Sequence, residues 1–259
     1  MAHLIELPMS PTPAIPSTPP VVNRQSPNGI PVGPDSLEKA LFWNRIARKY
    51  AADAIADQAG YERTIKRVQA LLTPAHQVLE LGCGTGSTAF HLAPGVSQML
   101  STDVSDEMIA IAREKLAAHP LANLRFAVAD ADAPFSAEGA FDVALAFNLL
   151  HLVDDLPEAL KAMFSAVKPG GLFISKTPCI GLMNPLIHWV AIPVMRAFGK
   201  APPVKVFDAT GLESTIQAAG FEVLSVEWHA SKGKDVRPFI VARKPLRPIP
   251  APGAKASTA

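Results

Sequence analysis

The sequence is poor in cysteine and has almost no excess of charge of either sign. Its 259 residues include two cysteines, Cys83 and Cys179. Two thiols offer no disulfide framework and too few ligands for a structural zinc site, so we expect a reduced cytoplasmic protein without a metal. The formal net charge is +1. Binding to nucleic acid therefore has no electrostatic support, because neutralising phosphates requires clustered lysine and arginine.

We expect neither a signal peptide nor an uninterrupted membrane-spanning segment. The first residues show neither the basic region nor the long apolar core of a secretory signal. The uncharged stretch Thr177–Met195 is 19 residues long, which is close to the roughly 20 residues that span a bilayer. Pro185, Pro193, Asn184 and His188 interrupt it, so stable membrane insertion is not expected.

Proline is concentrated at the two ends of the chain. Residues 1–35 hold nine of the 25 prolines, and residues 245–259 hold four more. Such segments cannot form regular hydrogen-bond ladders and bury little apolar area. We therefore expect disordered tails at 1–35 and 245–259 and one folded domain over 36–244, for which a hydrophobic content of 49% is ample.

The most informative stretch is Gln77–Gly86. It begins as a short apolar run, long enough for one buried strand of a parallel sheet. The run stops at Gly82, and glycine recurs at Gly84 and Gly86 before a helix-like segment begins at Ser87. Closely spaced glycines let the backbone turn sharply and approach a ligand, and the following helix presents free N–H groups to it. The pattern predicts a nucleotide-type binding turn.

Two acidic residues accompany this turn. Glu80 precedes the first glycine by two positions, and Asp103 follows 23 positions later at the end of the next apolar run. A carboxylate at that place can accept both hydroxyls of a ribose. The pattern Glu-x-Gly-x-Gly-x-Gly with Asp103 resembles the class I S-adenosylmethionine (SAM)-dependent methyltransferases, whereas dinucleotide-binding folds carry G-x-G-x-x-G. The resemblance covers roughly residues 40–243.

The order of the predicted elements agrees with this resemblance. Strands that alternate with helices indicate an α/β fold with a mostly parallel sheet. The resemblance implies a Rossmann-like sheet of seven strands flanked by helices, with the last strand antiparallel. The helices are predicted at Leu37–Tyr50, Tyr61–Leu72, from Ser87, after a Ser105 cap, at Pro157–Val167 and from a Thr210–Glu213 capping box. The strands are predicted at Val78–Leu81, Gln98–Asp103, Leu124–Ala129, Phe141–Phe147, Leu172–Thr177, Phe221–Trp228 and Phe239–Arg243.

The resemblance also assigns residues to the cofactor, S-adenosyl-L-methionine. An acidic residue at the end of the third strand accepts from the adenine amine, with Asp130 the better match and Asp132 the alternative. Two interpretations are open for Tyr50 and Trp43, because aromatic rings in the first helix can close over the sulfonium of SAM or simply pack that helix onto the sheet. The complete assigned set is Tyr50, Glu80, Gly82, Cys83, Gly84, Gly86, Asp103, Val104, Met108, Asp130, Ala131 and Asn148.

Methyl transfer from SAM is an in-line displacement, so the protein mainly aligns the reactants and excludes water. A base is useful when the acceptor is a hydroxyl, a thiol or a protonated amine. His151 is the catalytic candidate, because it follows the fourth strand and lies three residues after Asn148. The alternative is a histidine held by a backbone carbonyl, and His188 is a second candidate.

The apolar segment 180–200 follows the fifth strand and should therefore overhang the carboxyl edge of the sheet, where ligands bind in such folds. We favour a lid that lines an apolar substrate pocket. Core packing, a dimer face and contact with a membrane surface through residues 180–198 remain alternatives. A homo-oligomer is compatible with each of these interpretations.

The sequence thus predicts a SAM-dependent methyltransferase that acts on a small, apolar acceptor. Two rival hypotheses are an NAD-linked Rossmann oxidoreductase and a non-catalytic SAM-binding partner subunit. The glycine spacing and Glu80 disfavour the first, because a carboxylate sits badly beside a pyrophosphate. The intact turn with both carboxylates disfavours the second.

Overall fold

A computed structural model of the chain describes residues 34–133, 138–183, 186, 189, 192–197, 202–233 and 235–246. The two predicted tails fall almost entirely outside these residues and stay predictions. The helices are α1 (Pro34–Ala52), α2 (Gln58–Gln69), α3 (Ser87–Leu92), α4 (Asp106–Ala118), α5 (Leu156–Ala166), α6 (Ile192–Ala197) and α7 (Ala209–Ala218). The strands are β1 (Gln77–Leu81), β2 (Gln98–Asp103), β3 (Leu124–Val128), β4 (Phe141–Phe147), β5 (Val167–Lys176), β6 (Glu222–Glu227) and β7 (Phe239–Arg243).

The strands form one seven-stranded sheet in the order β3-β2-β1-β4-β5-β7-β6. The pairs from β3 to β5 are parallel, and β7 is antiparallel to both of its neighbours. This confirms the expected Rossmann-like sheet with an antiparallel last strand. Because β1 to β5 run in one direction, their carboxyl ends meet at a single edge, and residues from five different strand ends lie together there.

The sheet separates two layers of helices, and β1 lies between them with all five residues buried. On one face, α2 packs through Ile65 into the cluster that contains Val78. On the other face, α5 and α7 pack through Leu160 and Ile216 into the cluster that contains Leu79. Successive side chains of a strand point to opposite faces. Burial on both faces explains why β1 is a continuous apolar run interrupted by one acid.

Strand β5 begins earlier than the sequence predicts. The expected start was Leu172, with Lys168–Gly171 as a turn, but Val167 already pairs with Phe141, and a register shift follows before Val143. Gly171 makes this irregular path possible, because a Cβ there would lie 2.7 Å from the Asp142 carbonyl oxygen.

Helix α7 is capped by a different residue from the one predicted. The sequence suggested a capping box that begins at Thr210. In the structure Asp208 is the N-cap, and its carboxylate accepts from the backbone N–H of Gly211 at 2.7 Å. Both patterns contain a short polar residue before an apolar run, so the helix was predictable while its first residue was not.

Helix α1 is held against α4. Ala47 packs with Met108 and Ile111 in a small buried cluster. The Ser105 hydroxyl donates to Asn44 Oδ1 at 2.6 Å, and Ser105 also caps α4 by accepting from the backbone N–H of Met108. These contacts hold α1 across the connection between β2 and α4. Within the described residues, no helix is long and apolar enough to cross a membrane.

Candidate active site

A cavity of about 440 Å³ lies at the carboxyl edge of the sheet. Its walls come from the ends of β1 to β5, from α1 and α2, and from the loop that joins these two helices. All residues that the sequence analysis assigns to the cofactor line this cavity, with the exception of Gly86. The structure therefore brings together side chains that are up to 98 positions apart, from Tyr50 to Asn148.

The glycine turn forms the floor of the cavity, and its members have different surroundings. Gly84 has φ 53°, and a Cβ at this position would meet only the Tyr50 ring, at 3.7 Å. Gly86 has φ 80°, and a Cβ there would lie 2.7 Å from Cζ of Phe126. Gly84 thus faces the open cavity, whereas Gly86 allows α3 to pack closely against β3.

Asp103 is fixed by the backbone that surrounds it. Its Oδ2 accepts from the N–H of Gly84 at 2.9 Å, and its Oδ1 accepts from the N–H of Ser105 at 2.9 Å. Burial raises the pKa of this carboxyl above its ordinary value. Each carboxylate oxygen has a second lone pair, so the group can still accept hydroxyl donors from a ligand.

Glu80 is the acid inside β1, and it is 2% exposed. Ser101 donates its hydroxyl to Oε2 of Glu80 at 2.9 Å. Burial is the main cause that raises the pKa of Glu80 to about 7, and the nearby Asp103 adds to it. A buried carboxyl with few donors is a suitable partner for a cationic group of a ligand.

The cavity wall includes both acids proposed for the adenine amine, Asp130 and Asp132. Lys39 of α1 places its Nζ 2.6 Å from Asp132, 2.8 Å from Asp154 and 3.5 Å from Asp130. Asp132 also accepts from the backbone N–H of Asp154 at 3.0 Å. Asp130 is bonded as well, because its Oδ1 accepts from the backbone N–H of Asp132 at 3.1 Å, and the choice between the two acids for the adenine amine stays a prediction.

Lys39 itself was not anticipated from the sequence. It is 7% exposed, and its carboxylate partners follow it by at least 91 positions in the chain. A lysine in an amphipathic helix is usually solvated, so nothing in the sequence signals this contact. Lys39 ties α1 to the ends of β3 and β4 and so closes one side of the cavity.

The two aromatic residues of α1 both line the cavity. The rings of Trp43 and Tyr50 meet edge to face, with centroids 6.2 Å apart. Trp43 also packs on the cluster of Ala47, Met108 and Ile111, whereas Tyr50 is 48% exposed. Trp43 therefore has a packing role in addition to its place in the wall, and both interpretations of Tyr50 remain open.

His151 does not appear among the residues that line the cavity. Within the described part of the chain its Nδ1 is buried without a hydrogen-bond partner, so the expected contact with a backbone carbonyl is not present at this atom. Burial lowers the pKa of His151 to about 4. The assignment of His151 as a catalytic base stays a prediction that the geometry does not support, and His188 lies outside the described residues.

The segment 180–200 is described only in part. Ile180–Leu182 forms one 3-10 turn, and α6 follows at Ile192–Ala197. Leu186 and Trp189 are 66% and 75% exposed. None of the described residues of this segment lines the cavity, and the lid stays a prediction.

The far side of the cavity contains polar residues that sequence reasoning missed. They are Asp57 at the N-cap of α2, Thr64 within α2, Lys176 at the end of β5, and Arg237 before β7. Lys176 had a detectable signal, because it is a charged residue at the tip of an apolar strand, as Glu80 is in β1. Thr64 had none, since it lies within a helix whose pattern explains it without a site.

Comparison with known proteins agrees with this geometry. Residues 78–171 match a family model described as a methyltransferase domain. Over 222 residues, the chain is 27% identical to a ubiquinone biosynthesis O-methyltransferase of Sinorhizobium fredii. The matched region covers 79% of this chain and 86% of that protein. It is 29% identical over 187 residues to a demethylmenaquinone methyltransferase of Lactococcus lactis, covering 64% of this chain and 73% of the relative.

Solved structures support the same fold. The [4+2]-cyclase SpnF has a TM-score of 0.66 at 20% identity and covers 84% of this chain and 99% of its own. A SAM-dependent methyltransferase from Mesorhizobium loti has a TM-score of 0.59 at 22% identity, and the match covers 72% of this chain and 98% of that structure's chain. At these identities the likeness concerns the fold alone.

The strand order and the glycine turn with its two carboxylates define a Rossmann-like enzyme domain with a nucleotide-type cavity. Together with the matched methyltransferase domain and the methyltransferase relatives, they identify the chain as a class I SAM-dependent methyltransferase. The prediction from sequence is confirmed at this level, and the NAD-linked alternative loses its support.

Proposed function

We propose that this enzyme binds SAM along the carboxyl edge of the sheet and transfers its methyl group to a small, apolar molecule. The observation that carries the proposal is the single cavity that joins the Gly84 turn to Glu80, Asp103 and Asp130. In this arrangement Asp130 accepts from the adenine amine, Asp103 from the ribose hydroxyls, and Glu80 pairs with the ammonium of the methionine part. SAM use is implied for this family as a whole.

The residues present fit this cofactor. At Gly84 the absence of a side chain leaves space between the turn and the Tyr50 ring. The two carboxylates nearest the turn accept from few groups of the protein, Glu80 from the Ser101 hydroxyl and Asp103 from neighbouring backbone N–H groups, and both line the cavity. An adenosyl group needs acceptors for hydroxyls and amines rather than donors for phosphates, which is what this edge provides.

The chemistry requires little from the protein beyond alignment and a dry site. Bound SAM supplies an activated methyl group on a positively charged sulfur. Trp43, Leu149 and Val153 are apolar members of the wall that exclude water from the reacting centre. In this proposal the adenosine lies beside the acids at the ends of β2 and β3, and the acceptor therefore enters over the ends of β4 and β5.

Several facts support a small apolar acceptor. The described wall includes the apolar side chains of Ile55, Ile65 and Leu152, and one of the relatives is named as an O-methyltransferase of ubiquinone biosynthesis. We also place the protein in the cytoplasm, as its two unpaired cysteines suggest.

Thermal unfolding with saturating SAM, S-adenosylhomocysteine and, separately, NADH tests the cofactor. A ligand that binds only the folded state at a hundredfold its dissociation constant stabilises that state by about 2.7 kcal/mol. Both adenosyl ligands should raise the midpoint while NADH leaves it unchanged. If neither adenosyl ligand has an effect, the proposed function is wrong.

Replacing Asp103 with alanine is expected to weaken SAM binding by about 1–3 kcal/mol, because the ribose hydroxyls and two backbone N–H groups lose their acceptor. Isothermal titration calorimetry measures this loss. Asp106→Ala is the matched control, since this nearby carboxylate accepts from Asn44 and does not line the cavity. Equal affinities in both variants would contradict the ribose assignment.

SAM affinity is expected to rise with pH up to about 7 and to level off above it. In the free protein, burial keeps the pKa of Glu80 at about 7. An ammonium group beside Glu80 favours the carboxylate and lowers its pKa in the complex. At pH values between the pKa of Glu80 in the complex and its pKa in the free protein, SAM binding therefore releases a proton from Glu80. The affinity for SAM increases with pH over that interval.

Calorimetry at pH 5, 6, 7 and 8, in two buffers with different ionisation enthalpies, measures both the affinity and the released proton. Glu80→Gln is the matched control, because it keeps the volume and the contact with Ser101 but does not titrate. Proton release that persists unchanged in Glu80→Gln would show that another group is responsible.

A further inference from the structure

Lys176 is a buried amine at the far side of the cavity. It is the last residue of β5 and is 8% exposed. In the sheet it pairs with Phe147 of β4, and β4 lies between β5 and β1. Strands are about 4.8 Å apart, so Lys176 lies about two strand spacings from the glycine turn. It stands on the side opposite to the acids that hold the adenosine, where the acceptor is expected.

The amine is held by a chain of hydrogen bonds. Lys176 Nζ donates to the Thr64 hydroxyl at 2.9 Å. The same hydroxyl lies 3.0 Å from His229 Nδ1 and 2.9 Å from the carbonyl oxygen of Gly60. His229 Nε2 is 3.4 Å from Oε2 of Glu227, whose carboxylate reaches the surface. The network therefore holds the amine on one side, and the other hydrogen-bonding positions of Nζ are left for groups in the cavity.

The charged groups around Lys176 form no ion pair with its amine among the described residues. Among the described residues no carboxylate lies within salt-bridge distance of Nζ. Burial is the largest cause that lowers the pKa of Lys176, and the four charged neighbours act in opposite directions. The titratable and charged groups that face it are Asp57, Arg63, Asp235, Arg237 and His229, the last of which also has a lowered pKa through burial.

We propose that Lys176 is the general base of the methyl transfer and that the acceptor is a weakly acidic hydroxyl, such as a phenol. Thr64 and His229 are positioning residues that hold the amine toward the acceptor. This inference rests on the proposed function, because it requires SAM in the other half of the cavity. A lysine whose charge is disfavoured by burial is a suitable base, since a neutral amine has the lone pair that the reaction needs.

The step balances within the site. The acceptor O–H bond breaks, and its proton goes to the lone pair of Lys176 Nζ. The acceptor oxygen keeps the electron pair of the O–H bond and uses one of its electron pairs to form the new bond to the methyl carbon. The bond between the methyl carbon and the donor sulfur breaks, and its electron pair stays on the sulfur. The ammonium formed on Lys176 loses its proton to solvent before the next turnover.

The same arrangement favours a hydroxyl acceptor over a carboxylate. A carboxylate acceptor is already ionised and has no use for a base. A neutral hydroxyl would become a cationic oxonium on methylation, which is costly in an apolar cavity unless its proton leaves during the step. An ammonium on Lys176 also stabilises the negative charge that develops on the oxygen.

The first test measures the amine without measuring activity. Carbon NMR of lysine Cε in the labelled protein, assigned with Lys176→Met, gives the titration midpoint of Lys176. We expect a midpoint below the ordinary value of 10.5, and a further decrease in Thr64→Val, because that variant removes an acceptor for the ammonium. A midpoint at or above 10.5 would overturn the proposal.

The second test measures methyl transfer from labelled SAM to 4-nitrophenol, 4-methylphenol and 2-naphthol at pH 8. Lys176→Met should lower kcat about 100-fold or more for 4-methylphenol and 2-naphthol, as expected for the loss of a general base. It should lower kcat much less for 4-nitrophenol, which is already mostly ionised. Thr64→Val should shift the pH–rate profile toward lower pH, together with the midpoint of Lys176.

Lys244→Met is the matched control. Lys244 is also a lysine whose pKa is lowered by burial, and its Nζ donates to the carbonyl oxygens of Phe164 and Val167 at the opposite end of β5. This variant should lose stability without any change in the order of the three phenols.

The outcomes separate this inference from the proposed function. If the unchanged protein does not bind SAM, the proposed function fails. If it binds SAM but methylates none of the phenols, or if Lys176→Met lowers all three rates equally, the assignment of Lys176 and of the hydroxyl class is wrong while the cofactor assignment stands.

Discussion

Replacing Gly84 with valine is expected to abolish SAM binding while the protein stays folded. Gly84 has φ 53°, and the space where its side chain would project contains only the Tyr50 ring at 3.7 Å. A valine side chain would fill the space between the turn and Tyr50 that the cofactor needs. The strain of a β-branched residue at positive φ costs about 1–3 kcal/mol, which a domain of this size can tolerate.

Calorimetry should show an affinity at least about 100-fold lower, equivalent to about 2.7 kcal/mol. Gly139→Val is the matched control, because Gly139 has φ 59° and open space around the added Cβ, and it does not line the cavity. Both variants should lose similar stability, and only Gly84→Val should lose binding. If both bind SAM normally, the turn does not contact the cofactor.

Replacing Gly86 with alanine is expected to have the opposite effect. Its Cβ would lie 2.7 Å from Cζ and 2.9 Å from Cε1 of Phe126, and 3.3 Å from Cβ of Ala112. These neighbours are buried, and an aromatic ring cannot move away as the end of a flexible side chain can. Positive φ and overpacking together should lower the free energy of unfolding by about 2–4 kcal/mol.

Chemical denaturation measures that loss, and calorimetry at low temperature measures SAM binding by the folded fraction. The affinity should stay close to that of the unchanged protein, because Gly86 does not line the cavity. Phe126→Leu combined with Gly86→Ala is the matched control, since removing the ring edge should recover part of the lost stability. Lost binding in a stably folded Gly86→Ala protein would instead support a direct contact with the cofactor, as the sequence analysis assigned.

The elements that the sequence predicted best are those whose residues are buried on both sides. The predicted bounds of Gln98–Asp103 and Phe141–Phe147 agree with β2 and β4. Ser105 was also recognised as a helix cap from its place before two acidic residues. In these cases local chemistry and tertiary burial demand the same residues, so the pattern is unambiguous.

The predictions that failed concern the ends of elements and contacts made at a distance. β5 begins at Val167 because the sheet accommodates a register shift opposite Phe141. α7 is capped by Asp208 rather than Thr210. Several short polar residues near a helix start can serve as a cap, and only the packed chain selects one of them.

The sequence by itself determined the glycine turn, the two carboxylates beside it and the succession of strands and helices along the chain, and with them the class of enzyme. These features are local, because each depends on a few neighbouring residues and on the conformational freedom of glycine. The tertiary structure decided which side chains reach the cavity. It buried Lys39 among three acids, removed His151 from the wall and brought Lys176 next to Thr64. Such pairings join residues that are far apart in the chain, and burial and charge settle them only once the helices pack against the sheet.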